Sequence, residues 1–442
     1  MNKIKIIKNE LGEIFHHKKN TYLNDSSILS NVIESNGNVK CTFIEPAGSQ
    51  SIKELKSTIE SKLFELNWVK TVEIGIELKT KPSRHEEKFD HIQNIIAISS
   101  CKGGVGKSTI SLNLATALSM NGAQVGIFDA DIHGPSLPTL IKPSSIATTL
   151  DEDKLPPFIN NNIKLMSYGY IQKQANQPAI LRGPIASNLL KQLLFKTDWG
   201  YLDYLIIDCP PGTGDILLTI TQDIQLDGAI IVTSPHELAY VDVQKGVEMF
   251  QKVNVPILSL IENMSYFLCE NCDQKHYLYG SGRLQKFCMK NNIKLWYDLP
   301  FNKALGNFND NSAPYLLTCD NDDDSKKKFE RIAADTAWEI YSIESEADVL
   351  ITEDNTNKIL TLQLSEITSK INYSDLRHLC ECAYCVDETT RTKIFKIESI
   401  DPDIKINKTY TVGHYGIGIE WLEHGNSHAS MYSKEELIKK FK

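Results

Sequence analysis

The sequence predicts an α/β protein: a mostly parallel sheet covered by helices on both faces, flanked by a small α+β unit and a small β-rich unit. Three observations predict it. From about residue 92, short and nearly continuous apolar runs ("NIIAISS", "QVGIFDAD", "LDYLIIDCP", "GAIIVTS", "VPILSLIENM") alternate with helical stretches, the pattern of parallel strands buried on both faces. Before residue 90 the chain is polar and lysine-rich. Near its end, apolar and polar positions alternate, as in antiparallel strands with one wet face.

A chain of 442 residues exceeds one ordinary core. The composition shifts divide it into residues 1–90, 91–345, a linker over 346–358, and 359–442. In the first segment "VKCTFIE", the helical "SIKELKSTIESKLFEL" and the alternating "VKTVEIGIEL" read as strand, helix and strand. The charged "KTKPSRHEEKFDH", broken by Pro82, closes it. In the second segment "NIIAISS" leads through a glycine loop into the helix "STISLNLATALSMNG", and "KKKFERIAADTAWEIYSIE" is its last helix. The acidic "SEADVLITEDNTN" reads as linker, and "KIFKIESI", "KTYTVGHYGIGIEWLE" and "ASMY" as strands of the last segment.

The net charge of −9 weighs against nucleic acid as a partner, which a basic stripe would announce. No apolar run approaches the roughly 18 residues of a membrane span. The N-terminal stretch has neither the apolar core of a secretory signal nor the acid-poor, Ser- and Arg-rich composition of a transit peptide. The cytoplasm is therefore expected ahead of a plastid or mitochondrion. Of ten cysteines, five stand in two close clusters rather than as a disulfide framework. Cys101, Cys209, Cys288 and Cys319 read as structural thiols.

Residues 99–109 spell "SSCKGGVGKST". The usual phosphate loop, G-x-x-x-x-G-K-S/T, has a glycine where this chain has Cys101, and no lysine at the position of Lys102. Strand, glycine loop and helix start in this order make an anion site from backbone N–H groups. The backbone of Gly103, Gly104, Val105 and Gly106, with Lys107, Ser108 and Thr109, cradles the phosphates of ATP. Lys107 reaches the β- and γ-phosphates and the Ser108 hydroxyl ligates Mg²⁺. In "IIDCPPGTGD", Asp208 ends an apolar strand and can hold Mg²⁺. In "GIFDADIHGPS", Asp129 points to the same shell, and Asp131 orders the attacking water. Ligands of parallel sheets bind at these carboxyl ends. Lys102, Lys107, Asp131 and Asp208 are the expected catalytic set of an ATPase.

"KGGVGKST" resembles the deviant loop of the MinD/ParA/nitrogenase-iron-protein class of dimeric P-loop ATPases. That resemblance implies a homodimer in which Lys102 crosses to the partner's phosphates. Five motifs in order, "DADIHGPSLPTL", "LRGPIASNLLKQLL", "DYLIIDCPPGTGD", "VTSPHELAYVDVQKG" and "IENMSYFLCENC", are similar to the Mrp/ApbC subgroup over roughly residues 92–340. The subgroup carries iron–sulfur clusters. The resemblance implies a [4Fe–4S] cargo, upstream cluster donors, apo-protein recipients, and an adenine contact from Asn263. Cys269-x-x-Cys272 gives two thiolates per chain, and two chains would supply the Cys₄ set of such a cluster. The same set would hold zinc, and a bare C-x-x-C also suits a redox dithiol; its place after "ENMSYF" favours the cluster.

Residues 40–78 resemble the second half of a MIP18-type domain. Where that domain usually carries a cysteine, this chain has "EPAGSQS", which implies docking rather than metal handling. In "LRHLCECAYCVDE", Cys380, Cys382 and Cys385 need a fourth ligand, and His414, His424 and His428 follow. This stretch resembles the N-terminal domain of gamma-butyrobetaine hydroxylase. The resemblance implies Zn²⁺ held by the three cysteines and His428, with His424 as second choice and a transient cluster as the alternative cargo. The order of segments is similar to that of the plant high-chlorophyll-fluorescence plastid cluster scaffolds. Two rival readings remain: a MinD/ParA-like positioning switch, and a zinc-stabilised interaction protein that binds nucleotide without turnover.

Overall fold

The computed structural model describes residues 3–19, 21–78, 89, 91–149, 153–172, 183–212, 221, 224–269, 271–272, 274–302, 305, 313–347, 350–364, 367–380, 385–386, 393–396, 399–412, 416–433 and 437. They fall into two compact units, Met1–Ile340 and Tyr341–Lys442.

Among the described residues, ten strands make the central sheet of the first unit. Its order runs Lys275–His276, Ile257–Leu268, Gly228–Thr233, Ile92–Ser100, Leu202–Asp208, Val125–Asp129, Ile163–Ser167, Phe158–Asn160 and Ser145–Ile146, with Leu295–Pro300 beside Ile257–Leu268. The six strands from Ile257–Leu268 to Ile163–Ser167 run parallel to one another. Val125–Asp129 and Gly228–Thr233 are buried at every position, which is why their sequences are apolar without alternation. From the first strand, Ile92–Ser100, the chain crosses to Val125–Asp129 on one side and later returns to Gly228–Thr233 on the other. The loop after Ile92–Ser100 therefore opens at the point where strand order reverses, the usual ligand crevice.

Helix Lys107–Met120 leaves that loop with Ile110, Leu112, Leu114, Ala115, Ala117 and Leu118 all buried. It is buried from Ile110 to Leu118, Ser111, Asn113 and Thr116 included, because it has the sheet on one side and the N-terminal segment beyond it. That segment is a three-stranded sheet, Leu29–Ser35, Asn38–Glu45 and Thr71–Leu78, packed under helix Ser51–Phe64. Helix Lys3–Leu11 joins it through buried Ile7 and Leu11, an element the sequence reading leaves out. The "EPAGSQS" loop faces the central sheet and the end of helix Lys107–Met120. Tyr204 Oη donates to the Ala47 carbonyl (2.8 Å) and Asn121 Nδ2 to the Gly48 carbonyl (2.8 Å). Buried Ser51 joins three elements: it donates to Glu45 Oε1 (2.7 Å), accepts from Trp338 Nε1 (2.9 Å) and meets His16 Nε2 at 3.0 Å.

In the second unit, Leu350–Asp354, Ile359–Leu364 and Ile367–Asn372 form one antiparallel sheet, and Lys405–Val412, Gly416–Glu423 and Asn426–Ser433 another. Leu360, Ile371, Tyr373, Leu376, Ile417, Ile419 and Trp421 make the core. The stretch 346–358, expected as linker, carries the end of helix Asp324–Ala347 and the strand Leu350–Asp354. "KIFKIESI", expected as a strand, forms only the bridge Val386↔Lys393 among the described residues. The N–H groups of Ile394 and Phe395 both turn to the Cys385 carbonyl (2.9 and 3.2 Å), so they are not free for a ladder. Among the described residues no helix is long and apolar enough to cross a membrane.

Candidate functional site

Gly104 (φ +77°) and Gly106 (φ +84°) take the left-handed backbone that the loop needs. A Cβ at Gly106 would collide with Asn263 Nδ2. Lys107 begins the helix and turns its ammonium inward, 2.5 Å from Asp208 Oδ1. The Ser111 hydroxyl lies 2.8 Å from the same oxygen, and Lys107 Nζ lies 3.3 Å from Ser108 Oγ. Asp208 Oδ2 is buried and has no hydrogen-bond partner among the described residues. A buried carboxylate oxygen of this kind is costly unless something binds it. With the Ser108 hydroxyl beside it, the donors are hard oxygens that suit Mg²⁺.

Register sets Asp129 beside Asp208 on adjacent parallel strands, and Ser167 beside Asp129. Both Asp129 oxygens are engaged: Oδ1 accepts from the Asp131 N–H (3.0 Å), Oδ2 from the Leu137 N–H (3.1 Å) and Ser167 Oγ (3.0 Å). Burial first, and then the Asp208 charge, push the Asp129 carboxyl up to about 7. Asp129 thus shapes the turn that carries Asp131. Asp131 itself is half-buried, with Oδ1 accepting from the Gly134 N–H (3.0 Å). Lys102 is half-buried and pairs with Asp242 of its own chain at 3.3 Å. Val105 is buried, with its carbonyl accepting from Asn263 Nδ2 (2.9 Å). The Asn263 amide thus fastens the phosphate loop to the strand Ile257–Leu268. Gly103, Ser108 and Thr109 stand in the loop and first helical turn, where the sequence puts them. Burial raises the thiols of Cys209 and Cys288 to about 12 and Cys101 to about 11, as inert structural thiols should behave.

The same strand, Ile257–Leu268, runs into Cys269. The chain turns there, with the Cys272 N–H donating to the Cys269 carbonyl (3.3 Å) and the Cys269 N–H to the Gln274 carbonyl (3.1 Å). It returns as the strand Lys275–His276, pairing Phe267 with His276. The ligand atoms of Cys269, Cys272 and His276 lie within 4.8 Å of one another. Sequence reading finds the two cysteines and misses the histidine; its only signal was the three-residue gap after Cys272 that leads into the return strand.

Residues 91–337 match the family described as NUBPL iron-transfer P-loop NTPase. The chain belongs to this family. Residues 351–437 match the family described as Gamma-butyrobetaine hydroxylase-like, N-terminal. The Fe-S cluster assembly factor HCF101, chloroplastic, of Oryza sativa subsp. japonica is 34% identical over 400 residues, which are 87% of this chain and 74% of that protein. The iron-sulfur cluster carrier protein of Escherichia coli (strain K12) is 36% identical over 296 residues, 65% of this chain and 80% of that protein. A solved structure, a nucleotide-binding protein from Archaeoglobus fulgidus in complex with ADP, is 32% identical, covers 57% of this chain and 93% of its own, and has a TM-score of 0.43.

This iron-transfer NTPase has a second group of soft ligands in its C-terminal unit. Cys380, Cys385 and His428 place their ligand atoms within 4.8 Å of one another. His428 Nε2 lies 3.5 Å from Cys380 Sγ and 3.9 Å from Cys385 Sγ. Cys382 and His414 lie outside the described residues. Burial, and then the Arg377 charge, hold the His428 imidazole below its ordinary value, which keeps it neutral and able to ligate. Arg377 is buried and forked onto Glu423, with Nη2 2.7 Å from Oε1, while Nη1 points at Cys385 Sγ (3.3 Å). His424 stands apart: it is exposed, and its ring lies against Asp401 at 3.5 Å.

Proposed function

We propose that the protein is an ATPase that, as a pair of identical chains, carries a [4Fe–4S] cluster between its Cys269/Cys272 pairs and passes it to apo-proteins. One observation carries the reading: the strand Ile257–Leu268 holds the phosphate loop through Asn263 and runs directly into the Cys269 turn. Nucleotide loop and thiolates hang on one element, about 20 Å apart by strand rise. Two chains give four thiolates, the ligand set of the cargo.

In this reading Mg²⁺ would be held by Ser108 and Asp208, with Asp129 behind them, and would neutralise phosphate charge. Lys107 leaves Asp208 for the β- and γ-phosphates. Asp131 orients a water toward the terminal phosphate, and Lys102 leaves Asp242 to reach the partner's nucleotide. The C-terminal group of Cys380, Cys382, Cys385 and His428 takes structural Zn²⁺. The "EPAGSQS" loop serves docking, as its contacts with Tyr204 and Asn121 support. The free thiols outside the two ligand groups are buried or half-buried, which supports a reducing compartment such as the cytosol.

The test is iron, zinc and acid-labile sulfide per chain after anaerobic reconstitution. Wild type is compared with Cys269→Ser/Cys272→Ser and with Cys380→Ser/Cys385→Ser. About four iron and four sulfide per pair of chains, lost only in the first variant, is the expected result. Zinc in both sites with no sulfide overturns the cluster reading.

A further inference from the structure

We propose that His276 is the third ligand of a mononuclear site that a single chain assembles with Cys269 and Cys272, for a thiophilic divalent ion of the Zn²⁺ or Fe²⁺ class. The proposal rests on the reading of Cys269 and Cys272 as metal thiolates. Two thiolates alone leave such an ion half-coordinated. The structure brings a third donor to the same point: the three ligand atoms lie within 4.8 Å of one another.

The hairpin fixes that donor. Phe267 pairs with His276 and Leu268 with Lys275 across the antiparallel strands. The His276 ring stacks on Phe267, with centroids 5.0 Å apart and planes 16° apart, so the imidazole plane is set before any ion arrives. Lys275 is tied down as well, its Nζ 4.4 Å from the centre of the Tyr266 ring. Cys272 and His276 are exposed and Cys269 is half-buried, so the group faces outward. Three donors of this type leave one corner of a tetrahedron open. That corner can take water, or a thiolate offered from outside the chain. A pair of chains has four thiolates and can fill a cluster's corners with sulfur alone. The imidazole therefore matters when the chain is single, where it keeps one ion seated that two thiolates would release.

The test is a titration of the reduced, nucleotide-free full chain with Co²⁺, read by its ligand-field and thiolate-to-cobalt bands. The variants are His276→Ala, His276→Cys and Cys269→Ser/Cys272→Ser, each checked for folding by circular dichroism. His276→Ala is expected to weaken one equivalent of Co²⁺ by at least about tenfold, the loss that even an outer partner of a ligand produces. His276→Cys is expected to restore that equivalent with stronger thiolate-to-cobalt absorption, which a merely structural role of His276 would not give. The double serine variant should lose the equivalent altogether. If His276→Ala matches wild type in affinity and band position while the double serine variant loses its ion, the proposal is overturned and the thiolate reading stands. If the double serine variant also matches wild type, both fall.

Discussion

Lys102 Nζ lies 3.3 Å from Asp242 Oδ2 on helix Glu237–Lys252 of its own chain. Its neighbour Cys101 presses on the same helix, where a Cβ on Gly246 would stand 2.7 Å from the thiol sulfur. The two residues that set this phosphate loop apart from the common pattern thus bear on one helix. Lys245 and then Lys102 hold the Asp242 carboxyl below its ordinary range, so it is charged at neutral pH. The pair is half-buried and still open to solvent, and such surface pairs are weak, so a phosphate can displace Asp242.

Lys102→Ala should still bind ATP as a single chain. It should lose ATP-driven pairing, and with it at least about a hundredfold in turnover, the usual cost of removing a donor to the reacting phosphate. Asp242→Asn should pair faster than wild type. Sedimentation and phosphate release check both. A Lys102→Ala chain that pairs and turns over normally removes Lys102 from the partner's site.

The Lys107–Asp208 pair is buried on both sides. Removing one partner leaves an uncompensated buried charge, a loss of about 3–5 kcal/mol. Lys107→Ala should therefore destabilise the nucleotide-free chain by that order as well as abolish ATP binding. Lys107→Ala/Asp208→Asn should recover most of the stability and none of the binding. Denaturant unfolding of the four chains, read as a double-mutant cycle, measures the coupling.

The sheet and the loop were legible because their signals are local: unbroken apolar runs, glycines and a lysine in sequence. What was not legible depends on distant residues meeting. The Asn263 amide closes onto Val105, 158 positions away. The donors on the Asp129 carboxylate, the Asp131 and Leu137 N–H groups and the Ser167 hydroxyl, come from the following turn and a neighbouring strand. His276 carries no meaning until the hairpin returns it to Phe267. The strand Leu350–Asp354 hid inside an acidic stretch because its partner, Ile359–Leu364, supplies the regular apolar alternation.

His16 is buried between the N-terminal segment and Trp338, with ring centroids 4.9 Å apart. Burial first, with charge from Lys18, His17 and Lys19 adding to it, lowers the imidazole to about 4. Its Nδ1 accepts from the Lys19 N–H, which leaves Nε2–H to donate to Ser51. A depressed pKa makes the contact fully stable above about 6.5, the unfolded value, and weakens it as pH falls toward 4. Trp338 fluorescence should therefore report loosening of the N-terminal segment over that window. His16→Gln, which can keep the donor without the charge, should flatten the profile. A wild-type signal constant from pH 7 to 4 would refute the assignment.

In the C-terminal unit the two candidate histidines can be told apart. His428 stands opposite Trp421 in the strand register and meets both described cysteines. His424 begins the turn at φ +50°, with its N–H donating to Asp401 Oδ2 (2.5 Å). His428→Ala should release zinc from the C-terminal site, and His424→Ala should retain it. Arg377 supplies a finer test, because its guanidinium faces Cys385 and is held there by Glu423. A positive charge against a ligating thiolate offsets the excess charge of a three-thiolate zinc site and blocks protonation of the sulfur. Arg377→Met should cost about 10–100-fold in zinc affinity, as loss of an outer partner does. The loss should be steeper at pH 6 than at pH 8, because the unshielded thiolate then competes with protons. Competition with a zinc chelator at both pH values measures it. Equal affinity of Arg377→Met and wild type at pH 6 would show that the guanidinium serves the Glu423 fork alone.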